Sequence, residues 1–224
     1  VAFCGNEIRG LAERTRHMVS IAESSLADIV PTKKAGFKRF IRREPIGIVF
    51  TVAPWNYPLL TAVNSIVPAL MAGNSVILKP SAQTPLCGEH FVRAFQLAGL
   101  PEDVLQCIFL KHKDTSTIIN SAAVDFICFT GSVAAGQKIE KAAAGTFSGV
   151  GLELGGKDPA YVFADADFKH SVSELVDGAF FNSGQSCCGI ERIYVHQSLY
   201  SDFVEAYVEQ VKRYKLASPL LAET

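Results

Sequence analysis

The stretch Gly47-Ile48-Val49-Phe50-Thr51-Val52-Ala53-Pro54-Trp55-Asn56-Tyr57-Pro58 decides how this chain is read. From Gly47 to Val52 it is a nearly continuous apolar run, the pattern of a parallel strand covered on both faces. Leu59 to Met71 then takes helical spacing, with a kink expected at Pro68 and an end at Gly73. The alternation repeats. Val76-Ile77-Leu78 is a second strand, and Thr84-Pro85 opens a helix with an N-cap followed by a first-position proline. Val104 to Phe109, Phe126 to Phe129 and Val150 to Leu154 read as three more strands, separated by helices around Thr115 to Ala122 and over Ser132 to Ala144. Strands alternating with helices predict an α/β fold with an open parallel sheet and crossover helices.

Upstream, Ile8, Leu11, Ala12, Thr15, Met18, Val19, Ala22 and Leu26 keep helical spacing until Pro31. No partner for that apolar face is visible in the segment. The basic run from Lys33 to Arg43 is extended in character, and such charges usually guard a strand edge rather than bind nucleic acid. Downstream, Val172, Leu175, Val176, Ala179 and Phe180 share one helix face, and Asn182-Ser183-Gly184 supplies the residues at which a helix stops and turns. Ile190 to Val195 follows as a strand. Cys187 and Cys188 therefore occupy a tight helix–strand connection, where a thiol can face a cleft or lie buried as an ordinary apolar side chain.

The 224 residues suffice for one large domain or two small ones, and the net charge of −1 gives no reason to expect nucleic acid or an anionic membrane as partner. The six cysteines are scattered, without Cys-x-x-Cys or clustered His, so neither a zinc site nor a disulfide framework is expected. A reducing, cytoplasmic location fits, with an organellar matrix as the other option. No apolar run is long enough to span a bilayer. The chain opens on Val1 inside a helical pattern, which suggests a piece of something longer.

Ligands of an open parallel sheet bind beyond the carboxyl ends of its strands. After the first strand stands Asn56, and after the second Lys79-Pro80-Ser81. After the fourth, Thr130-Gly131-Ser132 opens a helix. After the fifth, Glu153-Leu154-Gly155-Gly156-Lys157 puts a carboxylate before two glycines. Each has a plain alternative: Ser132 as a helix cap only, Glu153 paired with Lys157, Asn56 holding a turn between prolines. A lysine and a helix N-terminus suit the ribose and phosphates of a dinucleotide. The usual Gly-x-Gly-x-x-Gly fingerprint is absent, since Gly131-Ser132-Val133-Ala134-Ala135-Gly136 has the wrong spacing.

Taken together with Gly184-Gln185-Ser186-Cys187, the motifs Pro54-Trp55-Asn56-Tyr57-Pro58, Lys79-Pro80-Ser81, Phe129-Thr130-Gly131-Ser132 and Glu153-Leu154-Gly155-Gly156-Lys157 resemble those of the aldehyde dehydrogenase superfamily, in its order. The resemblance implies a Rossmann-like sheet followed by the first part of a second α/β domain. It implies three regions: residues 1–43 as a helix and part of an oligomerisation hairpin, 44–154 as the dinucleotide-binding domain, and 155–224 as an incomplete catalytic domain. It makes Cys187 the nucleophile and Glu153 the general base, with Asn56 and the Cys187 N–H as oxyanion donors. Lys79, Ser81, Ala82, Trp55, Gly131 and Ser132 fall on the cofactor side, the cofactor being NAD or NADP. The substrate implied is a small-molecule aldehyde, oxidised to an acid through a cysteine thioester with no metal, in a homo-oligomer (dimer or tetramer) of the full-length parent.

The chain departs from the family pattern in three places. Ala82 stands where many NAD-preferring relatives carry Glu, which makes NADP admissible. Leu110-Lys111-His112-Lys113-Asp114 replaces a glycine-containing turn. The chain stops at Thr224, so residues 1–224 alone are expected to lack turnover and to self-associate, with Leu11, Val19, Phe37 and Phe40 uncovered and the Ile190–Val195 strand unpaired. The competing readings are a coenzyme A-acylating relative, a catalytically silent fragment that keeps the fold, and a cysteine hydrolase using His170 or His196.

Overall fold

In a computed structural model, which describes residues 4–218 and 221, contacts divide the chain into two compact units meeting at Glu153/Leu154. The larger unit opens with α1 (Cys4–Leu26) and continues through β1 (Ile48–Val52), α2 (Pro58–Met71), β2 (Ser75–Lys79), α3 (Pro85–Leu97), β3 (Leu105–Cys107), α4 (His112–Asn120), β4 (Phe126–Thr130), α5 (Val133–Ala143) and β5 (Gly149–Glu153). The strands form one parallel sheet in the order β3-β2-β1-β4-β5. The chain winds outward from β1 in one direction, then restarts at β4 on its other side. That reversal is where ligands of such sheets bind.

Apolar strand residues and the helix faces above them make the core. Val49, Val63, Ile66, Val76, Leu78 and Leu105 pack in one buried cluster with Phe91 of α3. Each such side chain contributes about 1.5–3 kcal/mol when fully buried. α2 continues as one helix through Pro68, and Gly73, at φ +83°, ends it as expected. At the amino edge the buried Asn74 accepts from Ile46 N (2.7 Å) and Gly47 N (3.0 Å), and Asp125 accepts from Ile48 N (2.7 Å). That edge is closed by the protein's own side chains.

Several expectations need correction. α1 does have a partner, because Leu11 and Met18 pack against the central cluster, while Val19, Phe37 and Phe40 stay exposed. α4 starts at His112, so the segment expected as a variant turn is already helical there. Thr84 stands at the N-cap of α3, but at φ −134° and ψ 50° its buried hydroxyl caps nothing and has no partner among the described residues. The basic segment is held by two antiparallel bridges, Ile29 with Ile41 and Lys34 with Phe37.

The smaller unit contains β6 (Asp158–Val162), α6 (Phe168–Phe180), β7 (Ile190–Val195) and α7 (Tyr200–Val211). β6 has no counterpart in the sequence reading. Asp158-Pro159 carries turn chemistry, and proline cannot donate to a ladder. The strand tolerates it through a register shift between those two residues. β6 pairs in parallel with β7, so β7 is not unpaired. Val162, Val172, Val176 and Phe203 form the small core beneath.

Candidate active site

At the carboxyl edge of the five-stranded sheet the register sets neighbours side by side. Val52 lies opposite both Lys79 and Phe129, and Thr130 lies opposite Glu153. Two backbone bonds extend the ladder past the strand ends, Ala53 N to Lys79 O (3.0 Å) and Gly131 N to Glu153 O (2.9 Å). With strands about 4.8 Å apart, the backbones of Lys79 and Glu153 stand about 14 Å from each other, three strand spacings along the edge. A ligand lying along it meets a cation at one end and a carboxylate at the other.

Lys79 is the least expected of these groups energetically. It is only 6% exposed, and among the described residues no carboxylate lies within ion-pairing distance. Burial pushes its amine below the ordinary lysine range. A buried cation without a counter-charge costs stability, and such groups concentrate at binding sites. Ser81 and the exposed Ala82 follow it in the loop, and Ser81 Oγ accepts from Gln83 N at 3.3 Å. Asn56 is half-buried between the 43%-exposed Trp55 and the start of α2.

Ser132 is the N-cap of α5, its hydroxyl accepting from Ala135 N at 3.3 Å. The cap reading therefore holds. It leaves other first-turn amides of an 11-residue helix aimed at the same edge. Gly131 has a packing reason, since a Cβ there would stand 2.6 Å from Phe129 Cζ. The exposed Glu153 is the last residue of β5, and Lys157 pairs with Glu191 of β7 instead.

In the smaller unit, Phe181 leaves α6 at ψ 135°, and Asn182, Ser183 and Gly184 then take left-handed conformations in succession, at φ 52°, 59° and 74°. For a non-glycine residue that costs about 1–2 kcal/mol. Backbone bonds from Gln185 N to Asn182 O (3.1 Å) and Gly189 N to Ser186 O (3.3 Å) close the loop. Gly156 lies against it: a Cβ there would sit 3.2 Å from Cys187 O. On the other side Gly178 of α6 meets Ile190, with a Cβ position 2.8 Å from Cγ1. The loop is thus bounded by the close approach of Gly156 to its backbone and of Gly178 to the side chain of Ile190, where β7 begins, and none of these three-dimensional neighbours is adjacent in sequence.

Cys187 and Cys188 are exposed, which removes the reading of both as ordinary buried thiols. Cys188 Sγ lies 3.3 Å from Ser186 Oγ. Although Cys187 is exposed as a residue, its thiol pKa is pushed above the ordinary value, first by desolvation of the sulfur and then by Cys188. A resting thiolate is disfavoured, so nucleophilic use calls for a base. Three of the other cysteines are less apt: Cys107 is pushed up to about 11 by burial, and burial also raises Cys87 and Cys128.

Neither histidine proposed as a hydrolase base is placed for it. His196 engages Ser198, with Nδ1 2.9 Å from its hydroxyl. His170 sits in the first turn of α6, about 15 Å along the helix axis from the end that leads to Cys187. Among the described residues no group of three or more His, Cys, Asp or Glu is arranged to hold a metal.

The sequence pattern of the aldehyde dehydrogenase family matches residues 1–224, the whole length of the chain. This chain belongs to the aldehyde dehydrogenase family. A D-glyceraldehyde dehydrogenase (NADP(+)) from Picrophilus torridus is 36% identical over 215 residues, covering 96% of this chain and 44% of that protein. Aldehyde dehydrogenase 1A1 of Rattus norvegicus is 42% identical over 183 residues, 81% of this chain and 36% of its own length. The NAD+ complex of a Bacillus cereus aldehyde dehydrogenase superposes with a TM-score of 0.93 at 29% identity, covering 99% of this chain and 45% of that one. The chain thus spans less than half the length of these aldehyde dehydrogenases. The family and the Rossmann-like parallel sheet read from the motifs are both borne out.

Proposed function

We propose that the full-length protein oxidises an aldehyde to a carboxylic acid with NAD or NADP, using Cys187 as nucleophile. The observation that carries this is the exposed Cys187 on a left-handed turn fixed from both flanks, in a chain of this family. Its raised pKa means that the proton must leave as the sulfur attacks, passing through water to the bulk. Sulfur then bonds to the carbonyl carbon, and the carbonyl oxygen takes the charge. Asn56 and the Cys187 N–H are proposed to meet that oxyanion. When bound, the nicotinamide supplies the hydride acceptor. The remaining acyl group is a thioester on Cys187, and water cleaves it while Glu153 takes the water's proton and passes it to the departing sulfur, returning the thiol and releasing the acid.

The sheet edge suits a dinucleotide. Lys79, a buried cation without a counter-charge among the described residues, fits ribose hydroxyls or phosphate oxygens, and the α5 N-terminus behind Gly131 and Ser132 fits a pyrophosphate. Trp55 and Ser81 border the same side. Ala82 carries no charge to repel a 2′-phosphate, and similar proteins are named with NADP(+) and with NAD+. Residues 44–154 are accordingly proposed as the dinucleotide-binding domain and 155–224 as part of the catalytic one. Residues 1–43 are proposed to join a homo-oligomer, dimer or tetramer, through the exposed Ile29, Val30, Phe37, Phe40 and Ile41. The free cysteines fit a reducing compartment such as the cytoplasm, and no described helix is long and apolar enough to cross a membrane.

The test is absorbance at 340 nm with the full-length protein, a panel of aldehydes and either cofactor. Wild type should turn over. Glu153→Gln should give one burst of reduced cofactor and then stall. Continued turnover in Glu153→Gln would remove Glu153 from the deacylation step, and loss of the burst would place it earlier.

A further inference from the structure

The carboxylate of Glu7, on α1, accepts hydrogen bonds from Leu59 N at 2.8 Å and Leu60 N at 3.1 Å, the first-turn amides of α2. α2 has no cap of its own, since Tyr57 at its N-cap position makes no side-chain capping bond. The anion at the positive end of this helix is therefore supplied from 52 residues upstream. Arg14, two turns further along α1, donates to Leu60 O at 3.2 Å and to Asn64 Oδ1 at 3.1 Å. α1 thus grips the first turns of α2 through a cation as well as an anion.

That first turn is where the Asn56 loop is anchored. Thr61 donates to Tyr57 O through its backbone N–H at 3.0 Å and through its hydroxyl. The chain of contacts runs from Glu7 to Leu59 and Leu60, on to the adjacent Thr61, and from Thr61 back one helical turn to Tyr57, the residue next to Asn56. At the other end of the loop, Ala53 N is fixed to Lys79 O. We infer that Glu7 is a positioning residue for catalysis: by capping α2 from α1, it fixes the loop that aims the Asn56 amide. This rests on the reading of Asn56 as an oxyanion donor. A donor preorganised toward developing charge loses its effect on small displacements, so a remote cap can appear in turnover.

A double-mutant cycle in the full-length protein separates the two claims. Asn56→Ala should lower kcat about 100-fold. Glu7→Ala should lower kcat about tenfold in wild type but by less than about twofold in Asn56→Ala, because the group it aims is gone. Glu7→Gln keeps an oxygen for both amides and should recover most of the rate. Thermal midpoints should fall by the same amount in both backgrounds, since the capping loss is common to both. If Glu7→Ala costs the same factor in kcat in both backgrounds, or if Glu7→Gln is as slow as Glu7→Ala, positioning through Asn56 is wrong. If Asn56→Ala leaves kcat unchanged, the oxyanion assignment itself fails, and this inference with it.

Discussion

The carboxyl edge of the sheet and the cysteine loop present reactive groups by opposite means. At the edge, Lys79, Thr130 and Glu153 terminate strands, and parallel register alone sets their spacing. Their backbones are in low-energy extended geometry. In the loop, Cys187 follows three residues in left-handed conformation, held by glycine-sized approaches from Gly156 and Gly178. The edge spends its energy on a charge, through the burial of Lys79; the loop spends it on backbone strain. Substitution of Lys79 should therefore act on cofactor affinity and substitution of Cys187 on turnover, with Glu153 the edge residue that also serves the chemistry.

The largest effect is expected at the thiol. In the full-length protein, Cys187→Ser should lower turnover by about a thousandfold or more, whereas Cys188→Ser should stay within about threefold of wild type. The 340 nm assay distinguishes them, and the reverse pattern would exchange their roles. At the edge, Lys79→Met should weaken cofactor binding about tenfold, read by calorimetry, while raising the thermal midpoint. The sign follows from linkage. Lys79 has a lowered pKa in the folded state, so the unfolded chain holds the proton more tightly. Its cost is fully present below the folded pKa and is relieved as pH rises toward the ordinary lysine range, so Met should stabilise most at neutral pH. A lower midpoint for Lys79→Met would mean that the cation is compensated.

Backbone substitutions should be smaller. Asn182→Val places a β-branched residue at φ 52° and should destabilise by about 1–2 kcal/mol, whereas Asn182→Gly should be neutral or stabilising, by chemical denaturation. Equal effects would argue against the left-handed turn. The thiol's raised pKa predicts that alkylation of Cys187 by iodoacetamide rises with pH above the range of an ordinary cysteine, because the thiolate fraction at neutral pH is depressed. A profile shifted to lower pH would reverse the assignment of desolvation as the main influence. The subtlest expectation is Ala82→Glu, which should shift preference from NADP toward NAD without altering stability.

Much of the sheet was legible because a parallel strand buried on both faces leaves an apolar run, as in Ile48–Val52, and because strand ends announce the ligand edge. The turn at Asn182-Ser183-Gly184 was legible too, since these residues tolerate the left-handed region. β6 was not, because Asp158-Pro159 mimics a turn and only the register shift shows how the ladder absorbs it. Nor was the support beneath Asn56: Glu7 reads as one more charge on the polar face of α1, and its role depends on a contact across 52 residues. Thr84 erred the other way, with cap chemistry in sequence but an unpartnered hydroxyl in the fold.

The most direct test of Cys187 as the carrier of the reaction is to trap its acyl group. Full-length Glu153→Gln, mixed with an accepted aldehyde and cofactor and quenched in acid, should yield by peptide mass spectrometry an acyl adduct on Cys187. The adduct should be equimolar with the burst of reduced cofactor, and Cys188 should be unmodified. Reduced cofactor formed without an adduct, or an adduct on Cys188, would contradict the account.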